Sequence, residues 1–149
     1  MERTLPTHLH VIAWPDPVID RLGFAPQSIY TELAWTPVLG PASVLAYRRI
    51  AGTLEHHPDG YRLDVAELAG SLGLGAGTGA HSTIARTLRR IAAFGLAVFT
   101  DDSTYAIHRR IPPLSTRQSS RLSPSLARVV KGYEQRQRGE DATTVATTA

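Results

Sequence analysis

The stretch "SLGLGAGTGAHSTIARTLRRI", residues 71 to 91, constrains the fold more than any other part of the chain. Gly73, Gly75, Gly77 and Gly79 alternate and lead straight into Ile84, Leu88 and Ile91 at helical spacing. A dinucleotide-binding loop needs its glycines directly after a buried strand, with an acid roughly 20 positions on to hold the ribose. "GAGTGA" from Gly75 meets the looser Gly-x-Gly-x-x-Ala spacing, but "DVAELAGSLGLG" before it has helical periodicity. The acids downstream, Asp101 and Asp102, fall at a predicted hairpin turn. A Walker loop needs Gly-Lys-Ser/Thr, and the one lysine of this chain is Lys131. The glycines therefore connect two helices. Two roles stay open for them: a loose connector, or a stretch whose backbone amides near Gly77, Gly79 and the next helix start meet a phosphate.

The flanking segments supply the rest of the order. In "GPASVLAYRRIAGTLEHHPDG", Pro41 suits a first helical turn, and Val44, Leu45, Tyr47, Ile50, Ala51 and Leu54 follow at helical spacing. Pro58-Asp59-Gly60 ends that helix, "YRLD" reads as a short strand, and Asp64 caps the helix "VAELAGSLG". Beyond the glycines the helix runs toward Gly95, and "LAVFT", "DDS" and "TYAIHRR" read as strand, tight turn and strand. Residues 1 to 40, rich in Pro and aromatics, are expected to form a helical brace, with Leu9, Val11 and Ile12 either in a short strand or packed down. Trp14, Trp35, Tyr30 and Tyr47 read as core or subunit contacts. Pro112-Pro113 break the chain, and residues 112 to 138 form a basic extension in which Ser123 caps a helix carrying Leu126, Val129, Val130 and Tyr133 on one side. The small, polar residues 139 to 149 are expected to be a disordered tail.

Helix, strand, helix, loop, helix, hairpin is the order of a winged helix-turn-helix domain, and residues 41 to 111 resemble that superfamily through "ELAGSLGL" and "TIARTLRRIAAFGLA". The resemblance implies a mainly α fold with a small β-hairpin (α+β) and extra N- and C-terminal helices. It also implies a third helix lying in the major groove of DNA and a hairpin wing against flanking phosphates. The sequence departs from the pattern in its long inter-helix turn, since about three or four residues are usual. The segment "YTELAWTPVLGP" is similar to actinobacterial proteins, a likeness that carries no function.

Charge agrees with a polyanion partner. The net charge is +3, yet residues 1 to 80 sum to −3, residues 81 to 138 to +8 and the last eleven to −2. A basic half attracts polyanions, and an Arg-rich solvated face gives the same numbers. Turning about 100° per residue from Ile84 places Ser82, Arg86, Arg89, Arg90 and Ala93 on the far side of the third helix, with Thr83 at the edge. Arginine's planar fork suits guanine O6/N7 and phosphate oxygens alike. Arg86, nearest the helix N-terminal half, is assigned to a base edge, and Arg89 and Arg90 to phosphates. The chain contains no Asn, so the Asn-to-adenine contact is excluded and guanines are expected to matter most. The acidic turn Asp101-Asp102-Ser103 repels phosphate, leaving Arg109 and Arg110 at the strand end as the wing's backbone contacts.

Other chemistry is thinly represented. Cysteine is absent, which excludes thiol nucleophiles, disulfides and Cys-type zinc sites. The pairs His8/His10 and His56/His57 lack a suitably spaced carboxylate, and no Gly-x-Ser-x-Gly elbow marks a nucleophile. No catalytic residue, cofactor or metal is expected. No secretory signal or bilayer-length apolar run is seen, so a cytoplasmic, nucleoid-associated protein is expected. The expected partners are double-stranded DNA and a second copy of the chain in a homodimer, in the role of a transcriptional or nucleoid-associated regulator. The alternative is a winged-helix protein-interaction module that does not bind DNA. Nothing in the sequence identifies a small-molecule effector.

Overall fold

A computed structural model of the chain describes residues 4–148, with side chains described through residue 139. It is a mixed α/β protein with seven helices and one four-stranded sheet among the described residues. The elements are β1 (His8–Ala13), α1 (Pro17–Leu22), α2 (Ile29–Leu39), α3 (Pro41–His56), β2 (Tyr61–Asp64), α4 (Val65–Ser71), α5 (Thr83–Ala93), β3 (Ala97–Phe99), β4 (Thr104–Ile107), α6 (Thr116–Ser119) and α7 (Pro124–Thr148). From α3 to β4 the observed order matches the order read from the sequence.

The sheet is larger than the expected hairpin. Its strand order is β2-β1-β4-β3, and β1 runs antiparallel to β2 but parallel to β4. Val11 pairs with Tyr61 on one side and Tyr105 on the other. The N-terminal segment is therefore no purely helical brace, because its strand fills the middle of the sheet and carries fully buried Leu9 and Val11. Non-local pairing of this kind leaves no signal in a local window, where four residues of alternation are ambiguous. The connection into β2 is tight: Gly60 sits at φ +103°, and a Cβ built there would lie 2.7 Å from the Val11 carbonyl oxygen. Only a residue without a Cβ passes so close to β1 in that conformation.

The core is built from aromatic and branched side chains of α2, α3, α5 and the sheet. Trp35, Tyr30, Tyr47 and Tyr105 are all buried, and each polar tip is satisfied as burial requires. Trp35 Nε1 donates to the Pro112 carbonyl (3.0 Å), Tyr47 Oη to the His108 carbonyl (2.9 Å), and Tyr105 Oη to the Leu88 carbonyl (2.9 Å). Tyr30 accepts from the Leu114 amide and donates to Glu134 on α7. Trp14 instead stacks on the His108 ring at 4.3 Å between centroids.

The C-terminal region differs from expectation in two ways. The helix α7 continues to Thr148, through most of the segment expected to be disordered. Its apolar side is narrower than the sequence pattern, with Val130 buried and Val129 left 48% exposed. Gln137 Nε2 donates to the Gly23 carbonyl and Glu134 accepts from Tyr30, so polar contacts share in fixing α7 to α1 and α2. No described helix is long and apolar enough to cross a membrane.

Candidate nucleic-acid interface

The candidate interface is the exposed side of α5 together with the junction of α2 and α3 beside it. Ile84, Leu88 and Ile91 are completely buried, as their spacing requires, and Ala85 and Thr87 widen the buried side. Ser82 caps the helix, its Oγ accepting from the Ala85 amide at 3.2 Å and donating to the Gly79 carbonyl at 2.7 Å. The solvent side is correspondingly narrow: Thr83, Arg86, Arg90 and Ala93 are exposed and Arg89 is half-buried.

The three arginines of α5 fall into two kinds. Arg86 is exposed and its guanidinium meets no partner among the described residues. Arg90 turns back toward α2, with Nε donating to the Leu39 carbonyl at 2.6 Å and Nη2 to the Val38 carbonyl at 3.3 Å. Its guanidinium also lies 4.9 Å from the Phe94 ring centroid. These carbonyls belong to the last turn of α2, where backbone acceptors have no intrahelical partner and a cation is favoured. Arg89 donates from Nη2 to the Ala80 carbonyl at 2.7 Å, fastening the glycine-rich loop to the helix that follows it. The assignment of Arg89 and Arg90 to DNA phosphates therefore meets a competing set of acceptors inside the protein. Helical spacing places a guanidinium on a face but says nothing of neighbouring chain ends that need donors.

The loop between α4 and α5 is likewise held at its ends. The Leu74 amide donates to the Ala69 carbonyl and the Ser82 amide to the Gly79 carbonyl. Gly73 and Gly75 have positive φ, the backbone state that releases the chain from α4.

Arg109 and Arg110 lie away from the acidic turn, at the far end of β4. Arg110 Nε donates to the Gly23 carbonyl at the end of α1 (2.9 Å), and Arg109 is exposed beside it. Neither is brought to α5 by a hydrogen bond. At the turn, the Ser103 amide and then the Thr104 hydroxyl hold the exposed Asp101 carboxyl below its usual value, so the tip keeps its negative charge.

Sequence reasoning missed one part of this surface. Leu39, Gly40 and Pro41 join α2 to α3 through a single residue, Gly40 at φ +94°, and bring the N-terminus of the 16-residue α3 against α5. A groove of about 320 Å³ opens there, lined by Gly40, Ala42, Ser43, Thr83, Arg86 and Arg90 among others, with no carboxylate in its wall among the described residues. No side chain caps α3, and its first turn holds no acid. The signal was present in "LGPAS": a Gly-Pro helix start with neither cap nor acid leaves amides to be satisfied from outside.

Comparison of the chain with protein-family models, curated proteins and solved structures finds no match in any of the three.

Proposed function

We propose that the chain binds duplex DNA, with residues 41 to 111 acting as a winged helix-turn-helix unit and α5 as the helix that enters the major groove. The observation that carries this is Arg86: a guanidinium near the N-terminal half of α5, exposed, without a partner among the described residues and flanked by exposed Thr83. Its fork matches guanine O6 and N7, so Arg86 reads a base edge. Arg89 and Arg90 act first as fixtures, tying α5 to its preceding loop and to α2. A helix held at both sides fixes where Arg86 leaves the backbone, while the side chain itself is ordered only when it meets a base. The role is regulatory binding without catalysis.

The test is fluorescence anisotropy with labelled duplexes, selected from a random pool by the wild type, over a salt series from roughly 50 to 200 mM. Arg86→Ala should weaken the selected duplex by about 1–3 kcal/mol and relax preference at a guanine position. Equal affinity and equal sequence preference in wild type and variant would refute the proposal.

A second reading, a protein-interaction module, is favoured by the apolar groove between α2 and α3, where Leu33, Pro37, Val44 and Leu45 meet and Leu45 is 51% exposed. It predicts no duplex binding even at low salt and a loss of partner binding on Leu45→Asp.

A further inference from the structure

The groove at the α2–α3 junction carries more than the exposed face of α5 does. The first intrahelical bond of α3 is donated by Val44 to the Gly40 carbonyl (3.0 Å). Pro41 has no amide hydrogen, and the Ala42 and Ser43 amides find no acceptor among the described residues. Two donors therefore stand at the positive end of a 16-residue helix dipole. Ser43 is a second, independent sign. It is only 3% exposed and lines the groove, yet its hydroxyl forms no hydrogen bond with any described residue. Its Oγ is not sealed from solvent, so on the groove wall beside the open amides it stands as one more donor for an acceptor arriving from outside. By contrast, Thr87 in the same wall is satisfied, its Oγ1 donating to the Thr83 carbonyl at 2.7 Å. Arg86 and Arg90 add positive charge, and no carboxylate among the described residues lines the groove. Every uncommitted group in the groove is a donor or can act as one, which suits a tetrahedral oxyanion.

We propose that this groove is a phosphate seat, taking one backbone phosphate of the duplex on the Ala42 and Ser43 amides and the Ser43 hydroxyl, with Arg86 at its rim. The proposal rests on the DNA-binding reading above and deepens it, since it fixes the register of α5 on the duplex through α3. A seated phosphate beside Thr83 and Arg86 sets the depth and angle at which Arg86 reaches a base.

The experiment compares wild type, Ala42→Asp, Ser43→Ala and Arg86→Ala on one labelled duplex across a salt series, with denaturation midpoints measured alongside. Asp in the first turn of a helix is favourable for folding, and it places a carboxylate where the phosphate would sit. Ala42→Asp should weaken binding by about tenfold or more, since it sets a carboxylate against the seated phosphate. Ser43→Ala should weaken binding several-fold with the midpoint nearly unchanged. A set of duplexes each carrying one neutral methylphosphonate linkage requires no fold-perturbing variant: one position should cost the wild type about tenfold and cost Ser43→Ala clearly less. If Ala42→Asp, Ser43→Ala and every methylphosphonate position bind like the reference while Arg86→Ala fails, the seat is refuted and the DNA reading stands. If the wild type binds no duplex, the DNA reading fails, and inorganic phosphate decides the seat. Phosphate-dependent shifts of the Ala42 and Ser43 amide resonances, abolished in Ala42→Asp, would keep it as a site for free phosphate. No such shift would overturn it.

Discussion

Replacing Arg90 by Ala should destabilise the fold while Arg86→Ala, one turn earlier on the same helix, should not. Arg90 makes one short hydrogen bond to the Leu39 carbonyl at 2.6 Å, a longer one to Val38 at 3.3 Å, and lies 4.9 Å from the Phe94 ring centroid. A hydrogen bond involving a charged group contributes about 1.5–3 kcal/mol, and because Arg90 is exposed the lower end applies. The ring contact adds about 0.5 kcal/mol at an exposed site. A cation on the α2 C-terminus adds a few tenths more, so the total loss is about 2 kcal/mol. Arg90→Lys should recover only part, since an ammonium cannot span two carbonyls as a planar fork does. Arg86, with no partner among the described residues, should change stability by less than about 0.5 kcal/mol. Urea denaturation followed by circular dichroism measures all three. Arg90→Ala as stable as wild type would refute the idea that this side chain ties α5 to α2, and would return it to the ligand-facing side of the account.

Three further outcomes follow from the fold. Leu9→Ala in the central strand β1 should cost about 2–5 kcal/mol, visible as a lowered urea midpoint; a cost under about 1 kcal/mol would mean that β1 is dispensable to the sheet. Gly60→Ala combines a positive φ with a Cβ 2.7 Å from the Val11 carbonyl oxygen, so it should destabilise by more than about 1 kcal/mol. Thermal unfolding checks it, and an unchanged midpoint would contradict the close approach. Burial pushes the Tyr61 phenol up to about 12, and it pushes Tyr30, Tyr47 and Tyr105 higher still. An unfolded phenol ionises near pH 10, so the folded state favours the protonated form: this stability is complete below about pH 10 and lost as pH rises through 12. The urea midpoint should fall over that window, and a flat profile would contradict the enclosure of these phenols.

What was legible in the sequence was what repeats at short range. The buried stripe Ile84, Leu88 and Ile91 and the stop near Gly95 are local, and the structure has both. The turn at Asp101-Asp102-Ser103 and its flanking strands were equally local. What escaped depended on distant partners. The place of β1 between β2 and β4 is set by pairing with residues fifty or more and over ninety positions away. The fate of Arg90 is set by carbonyls 51 and 52 positions earlier, and that of Arg110 by one 87 positions earlier. Charge counting treats such guanidiniums as free because the acceptors that bind them are backbone atoms, which leave no residue-type signature. The candidate site therefore contracts to Ser82, Thr83 and Arg86 on α5, and it gains Ala42 and Ser43 from a helix start that the sequence had marked only as a boundary.

The most direct test of the central claim is an amide NMR titration of the full chain with its selected duplex. The largest shifts should fall on Ala42, Ser43 and Ser82 through Arg86, with those at Arg109 and the Asp101 turn much smaller. Shifts confined to the groove of Leu33, Pro37 and Leu45, shifts confined to α7, or no shifts at all would contradict this.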